Sequence, residues 1–102
     1  MDLGLKGRRV LITGASRGIG RAIAASFAAE GCRLLLVARS ADGLAAVQAE
    51  LAARYGVEIE TLALDLAQGG AVERLHQRFP QIDILVNNAG ATPRGAWLPD
   101  AV

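Results

Sequence analysis

Three glycines directly after a short apolar run constrain the fold of this chain more than any other feature. Val10-Leu11-Ile12 precede residues 13–20, TGASRGIG, and an apolar pattern of helical period follows them. Glycine is required where a backbone bends sharply, approaches a ligand closely and lets a helix pack tightly on a strand. The segment therefore predicts a strand, a turn and a helix. The free N–H groups of the turn and the helix dipole favour an anion such as the diphosphate of a dinucleotide.

The spacing of the glycines narrows the ligand class. Gly14, Gly18 and Gly20 give G-x-x-x-G-x-G, which differs from the commonest dinucleotide spacing, G-x-G-x-x-G. A nucleoside triphosphate loop is excluded, because that motif ends in Gly-Lys-Ser or Gly-Lys-Thr and the only lysine, Lys6, lies upstream of the turn. The remaining alternative is a glycine-rich turn that binds no ligand.

Apolar runs and helical patterns alternate along the rest of the chain. The first helix is expected to bury a stripe of Ile19, Ile23 and Phe27. Ser40 is a predicted N-cap and Gly56 a predicted C-cap of the second helix. The predicted elements are, in chain order, strand 10–13, helix 18–30, strand 33–38, helix 40–56, strand 57–65, a helix that contains Val72, Leu75 and Phe79 and ends at Pro80, and strand 82–87.

This alternation is typical of a parallel sheet with helices on both faces. Right-handed crossovers and a glycine turn after the first strand predict the strand order 3-2-1-4 with three crossover helices. The predicted fold is the amino-terminal half of a Rossmann-type, doubly wound α/β sheet. Residues 1–90 are expected to form this dinucleotide-binding half-domain, and residues 91–102 to form a loop-like tail.

Composition excludes several classes of function. A net charge of +1 argues against nucleic acid as a partner, because phosphate binding requires a basic patch. No apolar run is long enough to span a bilayer, and residues 1–4 do not resemble a secretory signal, so a cytoplasmic protein with no membrane partner is expected. Cys32 is alone, so we predict a buried core thiol and no disulfide within the chain. No metal site is expected.

Two later motifs agree with the glycine turn. Asp65-Leu66 follows the third predicted strand, and residues 87–90, NNAG, follow the fourth. Together with TGASRGIG, in this order and in these contexts, they resemble the short-chain dehydrogenase/reductase family. The glycine spacing is similar to that found in the ordinary oxidoreductase branch of this family, which includes the bacterial 3-oxoacyl-carrier-protein reductases.

The resemblance implies a role for each matching residue. Ser16, Arg17 and Ile19 would line the diphosphate and the adenosine ribose, and the glycines would give access to the backbone. Asp65 would accept a hydrogen bond from the adenine amino group beside the backbone of Leu66. Alternatively, Asp65 caps a strand and the asparagines satisfy buried backbone. The positions expected against the nicotinamide-side ribose are Asn88, Ala89 and Gly90.

The end of the second strand indicates which cofactor is bound. NAD-binding proteins place a carboxylate about twenty residues after the glycines, whereas an arginine there accommodates a 2′-phosphate. This chain has Ala38-Arg39-Ser40 at that point, and Arg17 adds a second cation. NADP is therefore expected, with Arg39 and Ser40 as cofactor-binding residues, and NAD is the weaker alternative. Arg39 as a solvated loop charge, opposed by Asp42, is the competing interpretation.

The catalytic residues that the resemblance implies are missing from these 102 residues. The family uses a serine and a Tyr-x-x-x-Lys pair, but the chain has one tyrosine, Tyr55, far from Lys6 and in the wrong order, and no serine after Ser40. Tyr55 and His76 are interpreted as structural. We expect the amino-terminal part of a longer reductase of small carbonyl or alcohol substrates, inactive alone. The resemblance implies a family whose members are usually homo-oligomeric, and it leaves the oligomeric state of this chain open. The alternative is a non-catalytic nucleotide-binding or partner-binding module.

Overall fold

The computed structural model describes residues 4–88, which form a four-stranded sheet with helices on both faces. All three strand pairings are parallel, and the strand order is β3-β2-β1-β4, so the predicted fold and topology are confirmed. The predicted tail, 91–102, lies outside the described residues. In chain order the elements are β1 (Arg9–Thr13), α1 (Gly18–Ala29), β2 (Arg33–Ala38), α2 (Ala41–Tyr55), β3 (Ile59–Ala63), α3 (Ala71–Arg78) and β4 (Ile84–Asn87).

The two central strands are buried on both faces, and their alternation divides the core into two layers. Val10 and Leu34 pack with α1 and α2 on one face, while Leu11 and Leu35 pack with α3 on the other. In the ladder, Leu11 lies between Leu35 of β2 and Leu85 of β4. Burial of each such side chain contributes roughly 1.5–3 kcal/mol to stability. The continuous apolar runs of β1 and β2 follow from this two-sided burial.

Helix α1 packs on the sheet through small residues, and the predicted stripe is wrong at its first position. Gly20, Ala24 and Ala28 are the buried residues of this helix. Ile19 is 71% exposed, although Ile23 and Phe27 of the predicted stripe do pack against the core. The glycine turn brings α1 so close to the sheet that only a row of small side chains fits at the contact. The larger apolar residues therefore lie along the flank of the helix.

The caps of α2 agree with the prediction. Ser40 Oγ accepts a 3.0 Å hydrogen bond from the backbone N–H of Gly43, and Gly56 ends the helix with φ of 67°. The buried face carries Leu44, Val47 and Leu51. The cap fixes the N-terminal end of this helix, which lies beside the glycine turn at the carboxyl edge of the sheet.

Two strands are shorter than predicted. The prediction extended β3 to residue 65, but the chain turns there because Asp65 Oδ1 accepts a 3.0 Å hydrogen bond from the N–H of Ala67. The prediction also began β4 at residue 82, whereas the strand begins at Ile84. The apolar character of a segment does not show where its backbone groups stop pairing with a neighbouring strand and form the hydrogen bonds of a turn.

The single cysteine is part of the core, as predicted. Cys32 is fully buried, and its Sγ donates a 3.2 Å hydrogen bond to the carbonyl of Leu5. Among residues 4–88, none of the helices combines the length and the apolar character that crossing a bilayer requires.

Candidate functional site

The glycine turn between β1 and α1 has the conformation that its sequence predicts. Gly14 and Gly18 have φ of 63° and 61°, values that side-chain-bearing residues rarely adopt. A Cβ atom on Gly20 would lie 2.0 Å from the carbonyl oxygen of Gly14, so a side chain there has no room. The N–H of Ala15 donates a 3.3 Å hydrogen bond to the carbonyl of Val37, which ties the turn to β2.

The N-terminus of α1 is left open to an anion. Arg17 occupies the N-cap position with extended backbone, its side chain makes no capping hydrogen bond, and the first turn of the helix contains no acidic residue. The N–H groups of a first helical turn lack intrahelical partners. Together with the helix dipole they make this end electropositive, and it lies directly beside the glycine turn.

A buried threonine joins the glycine turn to β4. Thr13, fully buried, donates a 3.0 Å hydrogen bond from Oγ1 to Oδ1 of Asn87 and accepts a 2.9 Å hydrogen bond from the N–H of Asn88. Asn88 in turn donates from Nδ2 to the carbonyl of Gly14 at 3.2 Å. This network holds the ends of two neighbouring strands in register. Sequence reasoning missed the role of Thr13, whose only signal was a polar residue closing an apolar strand.

A cleft of about 650 Å³ lies at the carboxyl edge of the sheet, where β1, β2 and β3 end. Ligands of open α/β sheets bind at this edge. Sequence reasoning had not assigned Gly43 and Ala67 to the site, although both lie on its wall. Seven predicted site residues line the cleft, namely Gly14, Ser16, Arg17, Arg39, Ser40, Asp65 and Leu66.

The other predicted positions lie outside the cleft wall. Gly18 gives the turn its left-handed backbone, Gly20 lets α1 approach Gly14, and Ile19 is exposed at the start of α1; none of the three lines the cleft. Asn88 lies at the end of β4, where it holds the turn. Ala89 and Gly90 fall outside the described residues.

Two cations of the cleft are unpaired within residues 4–88. Neither Arg17 nor Arg39 takes part in the ion pairs formed there, whereas Arg21 on the outer side of α1 pairs with Glu50 of α2. Both unpaired guanidinium groups are exposed. The one carboxylate on the cleft wall, Asp65, is half-buried at the far side. The cleft thus has cationic groups beside the glycine turn and an acceptor opposite.

Tyr55 and His76, which are interpreted as structural, and the single lysine, Lys6, all lie away from the cleft. Tyr55 is half-buried against the core at the end of α2, with the guanidinium of Arg54 5.4 Å from its ring centre. Lys6 contacts Gly31 just before β2 begins, so both residues lie at the amino edge of the sheet. His76 is exposed on α3. Between residues 4 and 88 there is no group of three or more histidine, cysteine or carboxylate side chains that could hold a metal ion.

The parallel sheet, the glycine turn and the cleft define an α/β protein with a Rossmann-like, nucleotide-binding type of fold. The sequence model of the short chain dehydrogenases matches residues 8–99. The chain belongs to the short-chain dehydrogenase family, and the resemblance seen in its motifs is confirmed.

Curated proteins with similar sequences support this family assignment. The chain is 42% identical to the 3-oxoacyl-acyl-carrier-protein reductase FabG of Escherichia coli over 94 residues, and 38% identical to that of Aquifex aeolicus over 96 residues. These alignments cover 88% and 90% of this chain but only 37% and 39% of the relatives. The chain therefore spans less than half the length of the curated relatives that it matches.

Two solved structures superpose on most of the chain. L-sorbose reductase from Gluconobacter frateurii, complexed with NADPH and L-sorbose, has a TM-score of 0.80 and 43% identity over 90% of this chain and 36% of that one. The NADP complex of RhlG from Pseudomonas aeruginosa has a TM-score of 0.77 and 39% identity over 87% of this chain and 37% of that one. Both are complexes with NADP or NADPH.

Proposed function

We propose that these 102 residues are the NADP-binding part of a reductase that transfers hydride between NADP(H) and a small carbonyl or alcohol compound. The observation that carries the proposal is the cleft at the carboxyl edge of the sheet. There the glycine turn, two unpaired arginines and one carboxylate surround a single space. Family membership and the NADPH and NADP complexes of similar proteins support the choice of ligand.

The residues of the glycine turn fit a dinucleotide diphosphate. The uncapped N-terminus of α1 offers backbone N–H donors to the phosphate oxygens, and Gly20 keeps that end close to β1. Ser16 and Arg17 lie on the cleft side of the turn and add polar contacts. Ile19, exposed at the start of α1, provides apolar contact for the cofactor as it leaves the cleft toward β4.

The adenosine end lies across the ends of β2 and β3. Asp65 accepts a hydrogen bond from the adenine amino group, with the backbone of Leu66 beside it. The turn formed by Asp65 and Ala67 fixes the carboxylate in the cleft wall, because Oδ1 is held by a backbone N–H. The opposite, nicotinamide end lies against Asn88, with Ala89 and Gly90 continuing that contact.

The choice of NADP over NAD rests on charge. Arg39 and Ser40 close β2 at the position where NAD-binding proteins place a carboxylate, and Arg39 has no ion-pair partner within residues 4–88. An arginine that binds a 2′-phosphate contributes roughly 1.5–3 kcal/mol, or about ten- to a hundredfold in affinity. Asp42, in the first turn of α2, opposes this preference only in part because it does not line the cleft.

NADPH supplies the hydride when bound, and the residues of this chain bind and orient it. A carbonyl substrate would take that hydride on carbon and a proton on oxygen. These 102 residues hold neither a Tyr-x-x-x-Lys pair nor a serine after Ser40, and Tyr55 and Lys6 lie at the amino edge of the sheet. We therefore expect binding without turnover.

Isothermal titration of the purified chain with NADPH and with NADH tests the proposal, after circular dichroism has confirmed that the chain is folded. Saturable binding of one equivalent, tighter for NADPH, is the expected result. A folded chain that binds neither nucleotide would overturn it. A steady oxidation of NADPH in the presence of small ketones would contradict the expected lack of turnover.

A further inference from the structure

The glycine turn lies close to the first turn of α2 where Ser16 faces Gly43. A Cβ atom on Gly43 would lie 2.9 Å from Cβ of Ser16 and 3.2 Å from Oγ of Ser40. Cβ atoms do not approach other heavy atoms to less than 3.0 Å without a displacement. The present spacing of the turn and the helix therefore exists only because residue 43 has no side chain.

Nothing else at this position calls for glycine. Gly43 lies within α2, and its φ is outside the left-handed region in which glycine is favoured. Glycine is one of the poorest helix-forming residues, and alanine would stabilise the helix itself. The capping hydrogen bond from its N–H to Ser40 is a backbone contact that any residue except proline makes. The contact with Ser16 is what requires glycine.

Both neighbours of Gly43 line the cleft proposed for the cofactor. Ser16 belongs to the glycine turn, and Ser40 adjoins Arg39 at the end of β2. We propose that Gly43 is a positioning residue for NADP specificity. By holding Ser16 against α2 it sets the distance between the glycine turn and the Arg39–Ser40 segment, which together bind the 2′-phosphate. This inference rests on the proposed function, and Gly43 itself need not touch the cofactor.

The substitution Gly43→Ala separates this role from a structural one. The added methyl displaces Ser16 or Ser40 by a few tenths of an ångström, which weakens the affinity for NADPH by about three- to tenfold, the equivalent of one distorted hydrogen bond. NADH, which lacks the 2′-phosphate, loses less affinity. The dissociation constant of NADH divided by that of NADPH therefore falls. The melting temperature is not lowered by more than a degree or two, because alanine favours the helix.

Gly69→Ala is the matched control. Gly69 has open space where a Cβ would lie, its φ is not positive, and it does not line the cleft. The same change of residue type there leaves both dissociation constants unchanged. Equal binding of NADPH by Gly43→Ala and by the wild type would overturn the inference, as would equal losses for NADPH and NADH.

A double-mutant cycle with Ser16→Gly tests the contact itself. Ser16→Gly weakens binding on its own but removes the atom that alanine at 43 would meet. In that background Gly43→Ala has a smaller effect on NADPH affinity, because only the 3.2 Å approach to Oγ of Ser40 remains, and it raises the melting temperature by more than in the wild-type background. Additive effects in both measurements would overturn the inference. If the wild type binds neither nucleotide, the proposed function fails, and the melting-temperature cycle still decides whether Gly43 sets the spacing.

Discussion

Asn88 donates a 3.2 Å hydrogen bond from its side-chain Nδ2 to the backbone carbonyl of Gly14, which ties the end of β4 to the first glycine of the turn on β1. The same carbonyl oxygen is the atom nearest to the missing side chain of Gly20. One backbone oxygen thus joins the strand that enters the turn, the helix that leaves it and the neighbouring strand. The shape of the turn depends on all three segments.

Gly20→Ala is expected to damage both folding and binding. Its Cβ would lie 2.0 Å from the Gly14 oxygen and 2.8 Å from Nδ2 of Asn88, and the first of these contacts is with backbone that cannot rotate away. Overpacking of this kind lowers the free energy of unfolding by about 1–3 kcal/mol. Urea denaturation measures the loss. Gly69→Ala, which meets open space, is the control and stays within about 0.5 kcal/mol of the wild type.

Thr13→Val tests the network between β1 and β4. Valine has nearly the shape of threonine, so the core packing is kept while the hydrogen bonds to Asn87 and from Asn88 are lost. We expect a loss of about 1–3 kcal/mol in the free energy of unfolding, because a hydroxyl that satisfies two polar groups is replaced by a methyl.

The control for this change is Ser26→Ala on the exposed side of α1. Ser26 also uses its hydroxyl in a hydrogen bond, to the carbonyl of Ala22, but it lies in water. Removal of that hydroxyl changes the free energy of unfolding by less than about 0.5 kcal/mol. Equal effects of the two substitutions would show that the Thr13 network does not stabilise the sheet.

Burial of the only thiol predicts a pH dependence of stability. Desolvation first, and the negative charge of Glu30 second, raise the pKa of Cys32 above its ordinary value of 9.0. Because the folded-state pKa lies above the unfolded one, the favourable contribution is complete below the unfolded pKa and is lost as the pH rises toward the folded pKa. The free energy of unfolding should therefore fall between pH 8 and pH 10 more steeply in the wild type than in Cys32→Ala.

Reactivity toward iodoacetamide provides a second measurement. The folded chain at pH 8 keeps Cys32 protonated and buried, so alkylation is slow, and urea accelerates it to the rate of a free thiol. Fast alkylation of the folded chain would contradict the burial of this side chain.

Most of the fold could be predicted from local patterns, because each pattern had one physical cause. The runs of β1 and β2 are buried on both faces, and Ser40 and Gly56 cap α2 as their types indicate. The exposed position of Ile19 could not be predicted in this way. A helical stripe was expected to bury the large residues, whereas the closeness of α1 to the sheet selects small ones, and that closeness is a property of the tertiary structure.

Site residues that belong to a sequence motif could be predicted. Site residues whose role depends on a contact with a distant segment of the chain could not. Arg17, Arg39 and Asp65 are recognised from motif position, and all three line the cleft. Thr13 and Gly43 act through neighbours that lie elsewhere in the chain, namely Asn88 and Ser16. No pattern within a single segment of sequence reveals such a contact between segments.

Arg39→Asp is expected to move the cofactor preference from NADP toward NAD. A carboxylate at this position accepts hydrogen bonds from the ribose hydroxyls of NAD and repels a 2′-phosphate, whereas the arginine attracts it. The ratio of the dissociation constants for NADPH and NADH should change by about ten- to a hundredfold in favour of NADH. Arg74→Asp, the same charge change at an exposed position of α3 outside the cleft, controls for the net charge of the chain and leaves that ratio unchanged. If Arg39→Asp and Arg74→Asp had the same ratio of dissociation constants for NADPH and NADH, Arg39 would not contact the 2′-phosphate. The preference for NADP could then not be attributed to its charge.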